Sequence, residues 1–295
     1  MKKSEQRIVA VLGTSRSGSS FLGSWLHKCG LCIGNDLMGA DDYINKKGYY
    51  EDRDFVEFHF EIERNKRNFV ERIWKKIWLI PYNNTITPEN LASGKALIQR
   101  KIKQNHQWGW KWPPTIAIWN SCWKEIINEL ELKDKMVIIG TFRHYQKNVL
   151  SHMKFVEVWR TSAKYHSVKC YFDYLHFKLF KNRWANFLLT DWINMNKILI
   201  DILQNDEYKM LILFDTDTLR AHSKGIFQLL HENFKLDLKY INPLDLYEEK
   251  LMNREVDIKY KLDKRLVEEA TVVYNKLAKL RDAQGFINTN LHSTK

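Results

Sequence analysis

The sequence contains few of the residues that mark fibrous, low-complexity or disulfide-bonded proteins. Among its 295 residues are five prolines, twelve glycines and four cysteines. So little proline and glycine excludes collagen-like chains and Pro-rich linkers. Four cysteines do not make a disulfide framework in a chain of this length, and they fit a reducing compartment.

Long hydrophobic runs are absent too. The longest, 136–142 and 210–214, have the length of β-strands, whereas a membrane-spanning helix needs about 20 apolar residues. The basic N-terminus is followed only by a short apolar run, 8–12, which is too brief for the core of a typical signal peptide. We therefore expect a cytoplasmic protein with no membrane span.

What the chain does have is a large apolar share and an excess of basic residues. Hydrophobic residues make up 44% and aromatic residues 13%, enough for a sizeable core and too many for a disordered chain. Lysine and arginine number 47 against 35 aspartate and glutamate, a formal net charge of +12. This charge leaves a nucleic-acid-binding protein open, although the sequence has no RNP, KH, zinc-finger or helix-turn-helix signature.

Apolar runs that suit buried strands alternate with helical patterns. Strands are predicted at 8–12, 137–142 and 209–214, with a shorter one at 108–111. Helices are predicted from residue 21 onward and over 52–79, 91–102, 116–130, 144–156, 172–203 with a break near 182, 215–234 and 263–280. This alternation predicts an α/β fold with a central parallel sheet and helices on both faces. Neither a repeat nor a linker divides the pattern, so we expect one domain over residues 1–295.

A small-residue loop joins the first strand to the first helix. Gly13 and Gly18 are separated by four residues, the spacing of loops whose backbone N–H groups and helix N-terminus bind phosphate. In a nucleotide-triphosphate P-loop the second glycine precedes Lys and then Ser or Thr, but here Ser19 and Ser20 follow. The cation is Arg16, inside the loop. A P-loop kinase or NTPase is therefore an alternative that fits this loop poorly.

The segment 14–22, Thr-Ser-Arg-Ser-Gly-Ser-Ser-Phe-Leu, resembles the 5′-phosphosulfate-binding loop of the sulfotransferases. That family has a P-loop-like α/β fold and uses 3′-phosphoadenosine 5′-phosphosulfate (PAPS) as sulfuryl donor. The resemblance implies that the donor is bound by Ser15, Arg16, Ser17, Gly18, Ser19 and Ser20. Phe21 falls where relatives often carry an aromatic residue near the adenine, and packing in the core explains it equally well.

A second segment, 142–151, resembles the strand–turn–helix that binds the 3′-phosphate in that family. Arg143 ends the strand, and Ser151 follows eight positions later. Two turns of helix separate the pair, so the guanidinium and the hydroxyl can converge on one anion. A strand-end salt bridge for Arg143 and a solvated position for Ser151 are the alternatives if each residue is taken alone.

Three shorter segments resemble bacterial-type sulfotransferases: 47–54, 108–113 and 273–277. The second reads Trp-Gly-Trp-Lys-Trp-Pro, in which Trp112 and the following Pro114 stand where relatives carry Asp and Arg. We expect this departure to change the contacts to the acceptor more than the contacts to the donor.

Sulfuryl transfer needs a base for the proton of the acceptor and cations for the charge on the leaving phosphate. Arg16 is the candidate clamp on the phosphosulfate, and Lys111, at a strand end, is a candidate to assist the transferred group. With these cations no metal ion is required. Glu51 is the candidate base, with His59 and Asp52 as alternatives; Asp52 precedes an apolar helix and suits an N-cap better.

The acceptor is expected to be a hydroxyl or amine of a small molecule or a glycan. The run Arg64 to Lys76 contains six basic residues and one acidic residue. It either attracts an anionic acceptor or is a solvated helix face. The sequence does not decide between these, nor does it indicate an oligomeric state.

Overall fold

The computed structural model describes residues 5–40, 48–64, 86–161, 168–205, 207–246 and 260–284. A parallel four-stranded sheet lies at its centre, in the order β2-β1-β3-β4. The strands are Arg7–Gly13 (β1), Gln107–Lys111 (β2), Met136–Thr141 (β3) and Met210–Phe214 (β4). All four predicted strands are confirmed, with small differences at their ends.

The order of the strands places a crevice beside β1. The chain leaves β1 for β2 on one side and returns to the other side for β3, so Val9 lies between Gly109 and Val137 in the sheet. In open parallel sheets such a reversal of strand order creates a crevice at the carboxyl ends of the strands, where ligands bind. The loop after β1 begins at this point.

Nine α-helices lie in the described ranges. They are Ser19–Lys28 (α1), Arg53–Arg64 (α2), Pro88–Gln104 (α3), Lys124–Glu129 (α4), Tyr145–Thr161 (α5), Val168–Leu179 (α6), Lys181–Gln204 (α7), Thr216–Gln228 (α8) and Lys264–Asp282 (α9). None of the helices in these ranges combines the length and the apolarity that crossing a bilayer requires.

Helices cover both faces of the sheet, as the alternating pattern predicts. On one face, Val9 and Val137 pack with Trp25 of α1 and Ile226 of α8. On the other face, alternate strand residues such as Ile138 pack with side chains of α2, α3, α4, α5, α7 and α9. Strands buried on both sides must be apolar at nearly every position, and this is why they stand out in the sequence.

One predicted helix is described only in part, and another differs from the structure. The helix predicted over 52–79 is present as α2, and residues 65–79, with most of the basic run 64–76, lie outside the described residues. The helix predicted over 116–130 is wrong as a single element. It consists of a 3₁₀ segment Pro113–Ile118, a π-helical turn Trp119–Trp123 and α4. The two prolines that open the 3₁₀ segment have no N–H to donate, so they suit only the first turn of a helix.

The remaining helix predictions agree closely with the structure. The predicted break near residue 182 lies at Phe180, between α6 and α7. Asp263 caps α9 and accepts hydrogen bonds from the backbone N–H groups of Arg265 and Leu266. Beyond α8 the chain continues through a π-helical turn, Leu229–Asn233, and a 3₁₀ turn, Pro243–Leu246.

Candidate active site

The loop between β1 and α1 has a backbone conformation that few residues adopt without support. Arg16 has φ of 67° and Gly18 has φ of 98°, both in the left-handed region. The turn closes with a hydrogen bond of 3.2 Å from the Ser17 N–H to the Thr14 carbonyl oxygen. A non-glycine residue held in this region is strained, and such strain is concentrated at functional sites.

Both glycines of the loop are required by close contacts. A Cβ at Gly13 would lie 2.4 Å from the carbonyl oxygen of Thr141, at the end of β3. A Cβ at Gly18 would lie 2.2 Å from Oγ1 of Thr216, the first residue of α8. The loop is therefore packed against the carboxyl ends of β3 and β4, with no room for side chains at these two positions.

Two polar residues that were not predicted, Thr141 and Asn148, hold the loop in place. Thr141 Oγ1 donates to Ser17 Oγ over 2.8 Å. Asn148 Nδ2, on α5, donates to the Ser15 carbonyl oxygen over 2.8 Å and to Thr14 Oγ1 over 3.2 Å. Asn148 lies between Arg143 and Ser151, in the segment that resembles the 3′-phosphate-binding motif. Because its amide can donate to backbone carbonyl oxygens, its place in this segment could have indicated that it supports the loop.

One face of α5 receives the side chain of Arg16. Its Nε donates to Ser151 Oγ over 3.1 Å, and its guanidinium carbon lies 5.5 Å from the centre of the Phe155 ring. Asn148, Ser151 and Phe155 are spaced at three and four residues, so they share this face. His152 lies beside them, and burial together with the charge of Arg16 lowers its pKa to about 4. The structure thus brings Arg16 and Ser151 into direct contact.

Arg143 lies just beyond the end of β3, at the same edge of the sheet. Its carbonyl oxygen accepts a hydrogen bond of 3.2 Å from the indole N–H of Trp192 on α7. This contact fixes the backbone of the strand end. That its guanidinium shares an anion with Ser151 stays a prediction.

Lys111 connects the loop to the segment before α2. Its Nζ donates to Ser20 Oγ over 3.0 Å, to the Tyr49 carbonyl oxygen over 2.9 Å and to the carboxylate of Glu51. Lys111 is 1% exposed and Glu51 is 4% exposed. Two residues assigned to catalysis therefore form a buried ion pair that contacts the first turn of α1.

Burial pushes both members of this pair toward their neutral forms. It raises the pKa of Glu51, while the charge and hydrogen bond of Lys111 act in the opposite sense. It lowers the pKa of Lys111, with Glu51 opposing this change and the charge of Arg16 adding to it. Lys111 therefore loses its proton more easily than a lysine in water does, and Glu51 binds a proton more firmly than a glutamate in water does.

Asp52 serves as the cap of α2, as predicted. Its Oδ1 accepts a hydrogen bond of 3.0 Å from the Asp54 N–H, and its other oxygen contacts Lys101 of α3. The carboxylate is thus engaged with the helix end and with Lys101 rather than with Lys111.

His59 lies in an aromatic part of the core. Its ring is 5.9 Å from that of Trp123 and 6.4 Å from that of Trp112, and Nε2 is 3.5 Å from Thr115 Oγ1. Burial lowers its pKa to about 3. A neutral imidazole with so low a pKa is a weak base, so these surroundings favour Glu51 over His59.

The other predicted loop residues begin α1. Ser19 and Ser20 form its first turn, and Ser20 contacts Lys111. Phe21 is half-buried and packs on the core of the α1 side of the sheet, in agreement with the core-packing interpretation. The first backbone N–H groups of an α-helix have no helical carbonyl to bind, and for this reason helix N-termini can bind anions.

Metal ligands are not assembled anywhere in the described part of the chain, where no group of three or more His, Cys, Asp or Glu side chains could hold an ion. Asp215 directly follows β4, and an aspartate after a strand is a residue that can hold Mg²⁺ in an NTPase. Its Oδ1 accepts from the Thr218 N–H over 2.7 Å, and its Oδ2 pairs with Arg281. Both oxygens of Asp215 are therefore engaged within the protein.

The chain was compared with protein-family models, curated proteins and solved structures. No protein-family model matches the chain, and no curated protein does. Among solved structures, the sulfotransferase domain from the Synechococcus PCC 7002 olefin synthase aligns with 93% of this chain and 97% of that domain, at 13% identity and a TM-score of 0.43. That domain bears the name of the family that the sequence motifs resemble. At this identity and TM-score the likeness goes no further, so an assignment of function depends on the site residues.

Proposed function

We propose that this protein is a sulfotransferase that moves a sulfuryl group from PAPS to a hydroxyl or amine of an acceptor. The observation that carries the proposal is the meeting of Arg16, Lys111 and Glu51 around the β1–α1 loop. Two cations and one carboxylate at a phosphate-type loop match the needs of anionic group transfer: charge neutralisation and a proton acceptor.

The donor's 5′-phosphosulfate is assigned to the loop. The N–H groups at the start of α1, with the hydroxyls of Ser15, Ser17, Ser19 and Ser20, supply hydrogen-bond donors to the anionic oxygens. Arg16 supplies the positive charge. The left-handed conformation of Arg16 and Gly18 supports this assignment, since it curls the loop into an anion-binding turn.

The 3′-phosphate of the donor is assigned to Arg143 and Ser151. Arg143 lies just beyond the carboxyl end of β3, and Ser151 lies on α5, the helix that follows. The hydrogen bond from Arg16 to Ser151 supports the assignment of both phosphates to one donor site. Phe21, which packs on the core of the α1 side of the sheet, is proposed to lie near the adenine as well.

The transfer step uses the buried ion pair. The acceptor oxygen or nitrogen attacks the sulfur atom, the bond from sulfur to the phosphate oxygen breaks, and 3′,5′-ADP leaves. Glu51 takes the acceptor's proton, and Lys111 and Arg16 neutralise the charge that develops on the leaving phosphate. The raised pKa of Glu51 favours this role, because a carboxylate that binds a proton more firmly is a stronger base.

The acceptor class stays open at the level of a small molecule or a glycan. Trp112 replaces the acidic residue that relatives carry after the strand-end lysine, and it packs near His59 and Phe60. The basic run 64–76 lies almost wholly outside the described residues. We also propose that the 295 residues form one domain of this kind and that it works in the cytoplasm, where its thiols stay reduced.

The test is a ligand comparison followed by a transfer assay. We expect 3′,5′-ADP to raise the melting temperature more than ATP with Mg²⁺ or a single-stranded oligonucleotide does. Incubation with ³⁵S-labelled PAPS and a panel of phenols, alcohols, amines and glycans is then expected to label at least one acceptor. Stabilisation by ATP–Mg²⁺ alone would favour a P-loop kinase or NTPase, and stabilisation by the oligonucleotide alone would favour a nucleic-acid-binding protein.

A further inference from the structure

A second buried ion pair, between Lys101 and Asp52, lies next to Glu51 in the chain. Lys101, on α3, is 2% exposed, and its Nζ contacts the carboxylate of Asp52, which is 1% exposed. The same Nζ lies 2.7 Å from Asp54, and Arg100 lies 3.1 Å from Asp54 on its more exposed side. Charges this well buried are rare unless they are paired, because each has lost its hydration.

Further contacts, from residues 34–38, hold the backbone of residues 51 and 52 in place. Asp52 pairs with Leu37 in an antiparallel bridge, and the Met38 N–H donates to the Glu51 carbonyl oxygen over 2.8 Å. A Cβ at Gly34 would lie 2.6 Å from the Cβ of Asp52, so the chain is tightly packed there. The start of α2 is therefore held by its cap and by Lys101 on one side, while the Glu51 side chain reaches Lys111 on the other.

We propose that Lys101 is a positioning residue for Glu51: by fixing Asp52 at the cap of α2, it keeps the Glu51 carboxylate on Lys111 beside the loop. Lys101 acts through the backbone of adjacent residues and touches no reacting group. The inference rests on the proposed function for its effect on rate, but the placement of Glu51 can be measured without turnover.

The variants separate positioning from mere stability. Lys101→Met leaves the buried Asp52 carboxylate unpaired, which destabilises the fold as well as releasing the cap. The double variant Asp52→Asn/Lys101→Met removes both charges, and replacing a buried ion pair by neutral groups is often harmless to stability. Asparagine is also a good N-cap, so the helix keeps its start. The double variant therefore loses the ion pair while keeping the fold.

Two controls lie nearby. Lys95→Met removes a surface ion pair with Glu129 from the same helix. Asp54→Asn leaves the contact between Lys101 and Asp52 in place. We expect both to keep the wild-type single-turnover rate within about threefold, since exposed or partly exposed pairs contribute little.

The first measurement is kinetic. We expect Lys101→Met and the double variant to bind 3′,5′-ADP as the wild type does and to lose about 10- to 100-fold in single-turnover rate, because a displacement of about 1 Å at a reacting group can reduce the rate on this scale. The double variant is expected to melt near the wild-type temperature yet remain slow. A double variant with both wild-type stability and wild-type rate would overturn the proposal.

The second measurement does not need activity. With ¹³C-labelled glutamate, the Glu51 carboxyl resonance is assigned by its loss in Glu51→Gln. In the double variant we expect this resonance to move toward its position in Lys111→Met, where the partner is gone. An unmoved resonance means that Glu51 needs no support from Lys101, and the proposal fails. A wild type that binds no 3′,5′-ADP would instead defeat the proposed function and leave this measurement intact.

Discussion

The Nε of Arg16 donates a hydrogen bond to Ser151 Oγ over 3.1 Å, and the two residues are 135 positions apart in the chain. One belongs to the loop after β1 and the other to the second turn of α5. The contact joins the two segments that the sequence assigns to the two phosphate groups of the donor. Because Phe155 lies against the same guanidinium, α5 sets the position of the loop's cation.

The first prediction concerns the 3′-phosphate. Arg143→Ala should weaken binding of 3′,5′-ADP by about 10- to 100-fold, since a hydrogen bond to a charged group contributes roughly 1.5–3 kcal/mol. Binding of 5′-AMP, which lacks the 3′-phosphate, should hardly change. Isothermal calorimetry on both nucleotides checks this. Equal affinity of the wild type for the two would show that no 3′-phosphate pocket exists.

The second prediction concerns the conformation of the loop. Gly18→Ala forces a side chain into the left-handed region, at roughly 1–2 kcal/mol, and into contact with Thr216, where overpacking adds roughly 1–3 kcal/mol. We expect a lower melting temperature and at least a tenfold loss of 3′,5′-ADP affinity. Thermal melting and calorimetry measure the two effects.

Gly30 offers a matched control for this substitution. Its φ is 109°, close to the 98° of Gly18, but a Cβ added there would have no atom within 4 Å. Gly30→Ala should therefore show the backbone strain alone, with unchanged affinity for 3′,5′-ADP. If the two alanine variants behave alike, then the packing of the loop on α8 does not matter for binding.

The strands could be predicted because each is buried on both faces. In a run such as 137–139, Val-Ile-Ile, every side chain is apolar and buried. The same residues therefore predict both a strand and its burial between two layers of helices. The 113–129 region could not be predicted in detail. Apolar residues recur there at intervals that an α-helix, a 3₁₀ segment and a π turn all accommodate over a few residues, and periodicity does not distinguish these geometries.

The candidate site was predictable only where its residues form local patterns. Arg16 and the serines around it stand in one contiguous loop, and Ser151 has a fixed distance from Arg143. The contact of Lys111 with Glu51 spans 60 positions and leaves no pattern in the sequence. Thr141 was missed for a related reason: it ends an apolar strand, and only the three-dimensional fold shows its hydroxyl donating to Ser17.

The third prediction is independence from metal. Arg16 and Lys111 are proposed to supply the positive charge that Mg²⁺ supplies in kinases and NTPases. Sulfuryl transfer should therefore proceed at an unchanged rate after dialysis against EDTA and in buffer without divalent ions. The rate with ³⁵S-labelled PAPS is measured before and after dialysis. Loss of activity that added Mg²⁺ restores would favour the kinase-like alternative.

The fourth prediction concerns the pH dependence of transfer. The Glu51 carboxyl must be ionised to accept a proton, and burial raises its pKa, so the rate should fall on acidification from a higher pH than for an exposed glutamate. Lys111 must be protonated to neutralise charge, and burial lowers its pKa, so the rate should also fall on the alkaline side. The single-turnover rate should then follow a bell-shaped curve. A rate independent of pH between 4 and 10 would contradict both assignments.

The last prediction tests Glu51 itself. Glu51→Gln keeps the shape of the side chain and its contact with Lys111 but removes the proton acceptor, so the single-turnover rate should fall by about 10²–10⁴-fold, the usual range for a lost general base. The acidic limb of the pH profile should disappear with it, while 3′,5′-ADP affinity persists. The competing explanation is that Glu51 only pairs with Lys111 to hold the segment before α2, and then stability or donor affinity would fall together with the rate. Measuring 3′,5′-ADP affinity, melting temperature and single-turnover rate on one preparation separates these explanations. A near-normal rate would remove Glu51 from the mechanism and make His59→Gln the next variant to measure, although the neutral, core-packed imidazole of His59 is poorly suited to the task.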